Sequence, residues 1–261
     1  MKKEVYAKKH FGQNFLKDQN IINKIVDVFD FQNHNVIEIG PGRGALTKEL
    51  IKKASHVLCY EIDPDMVKVL NEQFPQATNL EVKLQDFLDA DLSALKESYL
   101  IANIPYYITT DILFKIFEHK DKFKGVLLMV QKEVAQRIVA KINTPDYSKL
   151  SVSCQYLAET KIEFIVKASC FSPAPKVDSA IISFKFKANI TQQNWIQIKD
   201  FFKLVFANRR KKLTFALSSK YSKEQIASVY EQLQLNPSVR IQQLNIDEIV
   251  KLYEMLENKE I

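Results

Sequence analysis

Asn103-Ile104-Pro105-Tyr106 is the short segment of this chain best suited to chemistry. An exocyclic amine on an adenine ring is a poor nucleophile, because its lone pair is delocalised into the ring. The Asn103 side-chain carbonyl and a backbone carbonyl at or near Ile104 could each accept one N–H of such an amine. That would favour a more tetrahedral, more nucleophilic nitrogen. Pro105 stiffens the turn and has no N–H to compete. Tyr106 supplies a flat face on which a base can stack. A proline turn packed by a tyrosine is the plainer alternative, and it gives way only where other ligand-facing groups stand nearby.

Such groups are present. Gly40-Pro41-Gly42-Arg43-Gly44 contains three of the five glycines of the chain. It follows a short apolar run and precedes a helical pattern, the layout of a nucleotide-type site. Gly40 and Gly42 let the backbone approach a ligand closely, and the helix beyond offers free N–H groups. Gly40-x-Gly42-x-x-Ala45 also satisfies the dinucleotide fingerprint. Glu61 stands about 20 residues further on, where an acid can accept both ribose hydroxyls. That feature is shared by NAD and S-adenosylmethionine sites and does not separate them. Asp86 ends the next strand, where a carboxylate can accept from the amino group of a bound adenine. One acid at a strand end is usually a cap; three successive strands ending in Gly, Glu and Asp point to one ligand.

These residues need strands and helices in alternation, and the sequence supplies them. Residues 20–29 carry apolar positions at helical spacing. Strands are predicted at 36–39, 56–62, 80–84, 99–102 and 126–130, with helices at 45–53, 64–74, 108–117 and 132–142. This order predicts an α/β fold, a parallel sheet with helices on both faces. Residues 150–157 read as helix or strand, while 162–167 and 180–187 read as strands. From there the pattern is helical: 192–207, 210–219, 222–234 and 246–258. The expected division is a domain over 1–189 and a small helical one over 190–261.

The 261 residues are 46% hydrophobic and 26% charged, which excludes a disordered or fibrous chain. The net charge of +6 is uneven. Lys2, Lys3, Lys8, Lys9 and Lys17 face Glu4 alone, and Lys203, Arg209, Arg210, Lys211 and Lys212 fall in a segment without an acid. Basic clusters on a near-neutral body suggest a polyanionic partner. Cys59, Cys154 and Cys170 form no C-x-x-C pair, and the four histidines are dispersed, so neither a disulfide framework nor a metal site is expected. No signal peptide and no membrane span is expected, which fits a cytoplasmic protein.

Six segments in order resemble one family. They are Lys8-Lys9-His10-Phe11-Gly12-Gln13-Asn14-Phe15-Leu16, the run Val36-Ile37-Glu38-Ile39-Gly40-Pro41-Gly42-Arg43-Gly44-Ala45-Leu46-Thr47, and the Asn103 turn. Gln131 to Arg137, Phe171 to Ala180 and Arg209-Arg210-Lys211 complete the set. The chain resembles the ribosomal RNA adenine dimethylases, most closely the small-subunit branch that methylates adjacent adenines near the 3′ end of 16S rRNA. Ile104 stands where leucine is usual.

The resemblance implies a Rossmann-like, S-adenosylmethionine-dependent methyltransferase domain followed by a helical RNA-binding domain. It implies cofactor contacts at Asn14, Leu16, Gly40, Glu61, Asp86 and Asn103, with Gly12 to Leu16 closing over the cofactor. The target adenine would be held by Asn103, Ile104, Pro105 and Tyr106. Phe171 would be a second aromatic face or else a core residue. Arg137, Arg209, Arg210 and Lys211 would contact RNA. The implied partner is 16S rRNA or the small subunit and its precursor, bound by a monomer. Three rivals stay open: a 23S rRNA adenine methyltransferase of the antibiotic-resistance type, an NAD-dependent oxidoreductase, and a non-catalytic RNA-binding ribosome-assembly factor.

Overall fold

Short apolar runs flanked by polar turns become the inner strands of a sheet. In the computed structural model, which describes residue 8 and residues 11–258, the chain forms two units. One comprises residues up to Ala135 together with Lys161–Phe186; the other comprises Gln136–Thr160 and the chain from Lys187 onward.

The first unit begins with a two-residue strand, β1 (Phe15–Leu16), and helix α1 (Gln19–Val26). Asp18 caps α1 by accepting the N–H groups of Asn20 and Ile21 at 2.9 and 3.2 Å. There follow β2 (Asn35–Ile39), α2 (Thr47–Lys53), β3 (His56–Glu61), α3 (Pro64–Gln73), β4 (Leu80–Leu84), β5 (Ser98–Asn103), α4 (Thr109–Glu118) and β6 (Phe123–Gln131). Helix α5 (Lys132–Ile138) leads out of the sheet, and β7 (Ala158–Val166), β8 (Phe171–Ser172) and β9 (Ser179–Phe186) return to it.

Seven strands form one sheet in the order β4-β3-β2-β5-β6-β9-β7. The pairs from β4 through β6 are parallel, as the alternation predicts. The order reverses at β2, and ligands of such sheets bind outside the carboxyl ends of the strands at that reversal. The strand β9, for which the sequence set no direction, is antiparallel to β6. The Lys132 N–H donates to the Asp178 carbonyl at 3.0 Å, so β9 starts where β6 ends, with Ser179 opposite Gln131, and must run back along it. Gly125 lies inside β6 against the rings of Phe29 and Tyr99.

Gly44 shows why this turn needs glycine. Its φ is +75°, and a Cβ there would meet Phe74 Cε2 at 2.7 Å and Leu70 Cδ2 at 2.9 Å, both on the face of α3 and its end. Gly44→Ala is expected to cost about 2–4 kcal/mol of folding stability from strain and overpacking, read as a lowered denaturant midpoint.

The second unit contains α6 (Lys149–Leu157), α7 (Gln192–Phe206), α8 (Leu213–Leu217), α9 (Lys223–Gln232) and α10 (Ile246–Glu257). The expected boundary near 189 lies beside the third crossing between units, Phe186 to Lys187, but residues 136–160 group with the helices, not with the sheet domain where 1–189 had placed them. The reason is α6. It is a helix whose Tyr156 ring packs edge-on against Phe202 of α7 at 5.5 Å, and the preceding Tyr147 packs on Phe206 at 5.9 Å. Two predicted helices are shortened. Helix α5 stops at Ile138 because the Gln155 side-chain amide donates to the Ile138 and Ala140 carbonyls at 2.8 and 2.9 Å. Residues 207–212 turn rather than begin the helix predicted over 210–219, and α8 starts only at Leu213.

Candidate functional site

The carboxyl ends of β2, β3, β4 and β5 surround one cavity of about 390 Å³. That lies within the range of about 300–1,000 Å³ typical of small-molecule sites. Asn14, Leu16, Gly40, Gly42, Glu61, Asp86, Asn103, Ile104 and Pro105 all line it, so the structure brings these sequence-predicted residues together.

Glu61 is 5% exposed and held by backbone. Its Oε2 accepts the Gly42 N–H at 3.0 Å, and its Oε1 accepts the Ile62 and Asp63 N–H groups at 2.9 Å each. Burial raises its pKa, and these three N–H groups pull in the opposite direction. Three of the roughly four acceptor sites of the carboxylate are thus taken, and Oε2 keeps one for a further donor such as a hydroxyl of a ribose diol. Gly42 is confined by the Phe15 ring, whose Cε1 would lie 3.0 Å from an added Cβ. The Arg43 guanidinium covers the same ring at 4.6 Å from its centroid.

Asp86 is exposed at the cavity edge and caps a single 3-10 turn, Phe87–Asp89. Its Oδ1 accepts the Leu88 N–H at 2.8 Å. Below it, the buried Phe87 ring meets Tyr60 edge-on at 5.5 Å, and both line the cavity.

Asn103 ends β5. Its Nδ2 donates to the Asn14 carbonyl at 3.3 Å, which leaves its carbonyl oxygen as the end available to accept from an amine. Ile104 is buried, so its contribution to a ligand is limited to main chain. Pro105, with φ −57° and ψ 135°, leads into a 3-10 turn over Tyr106–Ile108. The backbone of Tyr106 is part of that turn, and its side chain lies outside the described residues. The neighbouring Tyr107 is 65% exposed at the cavity mouth.

Residues Phe11 to Lys17 line this cavity, and the lysines of the N-terminal stretch had counted from sequence only as a basic arm. The Lys8 ammonium donates to Asp63 Oδ1 at 2.7 Å and Asp65 Oδ2 at 2.6 Å, and Gln13 Nε2 donates to Asp63 Oδ2 at 2.8 Å. Burial works against ionised Asp63, but Lys8, Gln13 and the Asp65 N–H outweigh it and hold its pKa below the usual carboxylate value. Lys8 therefore spends its charge inside the protein. Lys2, Lys3, Lys9 and His10 lie outside the described residues. The strand β1 pairs with β8, Leu16 opposite Phe171. Of the two expectations left open for Phe171, the core position is the one found: it is 2% exposed in the apolar core, so its ring offers no face to a base.

Glu38 also lines the cavity, and it was not singled out from sequence. Its signal was a lone acid inside the apolar run Val36–Ile39. Its Oε2 accepts from Thr47 Oγ1 at 2.7 Å and from Cys59 Sγ at 3.7 Å. Burial pushes its pKa up to about 7, with the nearby Glu61 charge adding to that rise. The raised value means that folding favours the protonated form. The stability this group contributes is complete below its ordinary value of 4.5 and is lost as pH rises through about 7. The Glu38→Gln variant is expected to lack this loss. Its thermal midpoint relative to the parent protein should rise between about pH 5 and pH 8.

In the second unit, Arg209, Arg210 and Lys212 line a separate cleft of about 570 Å³ with Arg240 and Asn143. Arg209 is fixed by an Nη1 bond to the Tyr147 carbonyl at 2.8 Å. Lys211 does not line the cleft; its ammonium sits 3.7 Å from the Phe215 ring centroid. Arg137 is exposed on α5 and does not line this cleft. Arg240, far from the basic run in sequence, had no local signal.

A parallel sheet with its switch point at the Gly40 loop, and a buried acid and an asparagine lining one cavity at its carboxyl edge, fit the S-adenosylmethionine-dependent methyltransferase class. The family model for ribosomal RNA adenine dimethylase matches residues 5–258, and the chain belongs to that family. A ribosomal RNA small subunit methyltransferase A from Mycoplasmopsis synoviae is 54% identical over 252 residues, covering 96% of this chain and 97% of that protein. A dimethyladenosine transferase structure from Plasmodium falciparum superposes with a TM-score of 0.83 at 26% identity, covering 91% of this chain and 95% of the other. The 23S rRNA methyltransferase ErmE superposes at 0.73 and 28% identity, covering 94% of this chain and all 100% of that one.

Proposed function

We propose that this chain converts two adjacent adenines near the 3′ end of 16S rRNA to N6,N6-dimethyladenine, acting as a cytoplasmic monomer on the small ribosomal subunit or its precursor. The observation that carries the chemistry is the tethered Asn103 amide, whose carbonyl end is left for an amine beside the Pro105 turn. The small-subunit substrate is supported by the 54% identity to a small-subunit enzyme, against 28% to a 23S enzyme.

S-adenosylmethionine, when bound, supplies a methyl group made electrophilic by its sulfonium. The chain does the rest by holding groups in place. Glu61 accepts from the ribose diol, and Asp86 accepts from the amino group of the cofactor adenine. The target adenine leaves its stack and lies on Tyr106. Asn103 and the Ile104 carbonyl hold its two N–H bonds, so that the nitrogen lone pair faces the methyl carbon. The N–C bond forms as the S–C bond breaks, and the resulting ammonium loses its proton readily to water. No strong general base is required. Positioning supplies most of the rate, and the site accepts the monomethylated base for the second round. The cleft around Arg209, Arg210 and Arg240 suits phosphates, which makes RNA affinity fall with salt.

Incubation of undermethylated small subunits with methyl-labelled cofactor, followed by mapping of the label, tests this reading. Dimethylated neighbouring adenines near the 3′ end of 16S rRNA are expected. Label confined to 23S rRNA, or no transfer, would overturn it.

A further inference from the structure

Asp86 is useful to a ligand only if its turn is fixed, because the residue itself is exposed and its turn is only three residues long. The fixing comes from outside that turn. Lys115, on α4, extends its ammonium to the Leu88 and Ala90 carbonyls at 2.6 Å each. The same ammonium lies 5.7 Å from the centroid of the Phe87 ring. Leu88 is thus gripped on both sides, its N–H by Asp86 Oδ1 and its carbonyl by Lys115 Nζ.

We propose that Lys115 is a positioning residue that gives the site its preference for adenine over a deaminated base in the methyl donor, by locking the turn that aims the Asp86 carboxylate. The proposal rests on the reading that Asp86 accepts the donor's exocyclic amine.

The chemistry follows from the donor count. An ammonium has three N–H donors. Two of them serve the carbonyls of Leu88, in the middle of the turn, and of Ala90, just after it. Charge-assisted bonds of this kind are shorter and stronger than neutral ones. The turn's own restraints are the Asp86 side-chain cap, two neutral backbone bonds (the Asp89 N–H to the Asp86 carbonyl at 3.1 Å and the Ala90 N–H to the Phe87 carbonyl at 3.2 Å) and the buried Phe87 ring, and the Lys115 ammonium adds the charge-assisted ones. A loosened carboxylate still attracts a cation, but it no longer distinguishes an amino group from a carbonyl at the same ring position. Lys115 is half-buried on a helix whose Ile112 lines the same cavity, so the α4 face carries the restraint to the ligand directly.

The test compares the affinities of S-adenosylhomocysteine and its hypoxanthine counterpart, by calorimetry on the full-length chain. The parent protein is expected to prefer the adenine form by about tenfold or more, the worth of one hydrogen bond to a charged group. Lys115→Met is expected to lose most of that preference, and Lys115→Arg, which can still donate to both carbonyls, to retain it. In the Lys115→Met, Asp86→Asn double variant the preference should fall no further than in Asp86→Asn alone. A merely structural role would lower the thermal midpoint and leave the ratio unchanged, and that result overturns the proposal. Lys115→Gln serves the same comparison where Lys115→Met folds poorly. If Asp86→Asn itself leaves the ratio intact, the assignment of Asp86 fails; if Asp86→Asn abolishes it and the Lys115 variants do not, only the role of Lys115 fails.

Discussion

Asn103→Ala is expected to lower the methyl-transfer rate by about 10²–10³-fold, the range seen when one preorganised transition-state contact is removed. Retention of small subunits should stay close to the parent value, since Asn103 lies in the cavity and not in the basic cleft. The variant loses two things at once. One is the side-chain carbonyl that accepts from the target amine. The other is the Nδ2 bond to the Asn14 carbonyl, which keeps the amide from presenting its donor end to another donor. Asn103→Asp separates them, because it keeps an acceptor but sets an anion against the Asn14 carbonyl. Single-turnover rates with saturating cofactor give the comparison. Parent-like transfer by Asn103→Ala would remove Asn103 from the mechanism.

The second large effect is expected at Glu61. Glu61→Ala removes the acceptor for three N–H groups, those of Gly42, Ile62 and Asp63. Each buried donor left unpaired costs about 1–3 kcal/mol, so cofactor affinity and folding stability should both fall. Glu61→Gln separates the two losses. Its carbonyl can still accept from Ile62 and Asp63, while its amide faces the Gly42 N–H donor to donor and cannot accept from a ribose hydroxyl. S-adenosylhomocysteine binding is expected to weaken by more than tenfold in Glu61→Gln, with the thermal midpoint lowered less than in Glu61→Ala. Calorimetry together with a melting curve reads both. Unchanged affinity in Glu61→Gln would free the ribose from this carboxylate.

The central part of the fold was legible because its signals are local. The strands β2, β3 and β5 are largely apolar runs and β4 an alternating one, and each stops just before or at a residue of different chemistry, so strand ends and site residues announce one another. The parts that were missed depend on distant partners. β1 has two residues and therefore no periodicity; it exists because β8 lies opposite. The apolar run ending at Leu157 suited helix or strand equally, and packing against α7 made it helix α6. The direction of β9 follows from a backbone bond between Lys132 and Asp178 that no spacing encodes. Phe171 showed an aromatic type in a family motif, but type does not say which side of a two-strand ribbon the ring takes. Glu38 and Lys115 were hidden for opposite reasons: a carboxyl inside an apolar strand looks like a flaw in the pattern, and a lysine on a helix looks like ordinary surface.

The pairing of β1 with β8 has a meaning in time as well as in space. Synthesis delivers Phe15 early and its partner Ser172 only after most of the sheet unit has been made. β6 also waits for β9 before its second edge is paired. A growing chain that stops short of Ser172 carries the glycine loop, both acids and Asn103, but its first segment has no strand to dock against. Ligand stabilises only what binds it. A bound methyl donor therefore stabilises the completed unit, in which Asn14 and Leu16 of the first segment line one cavity with the glycine loop, both acids and Asn103.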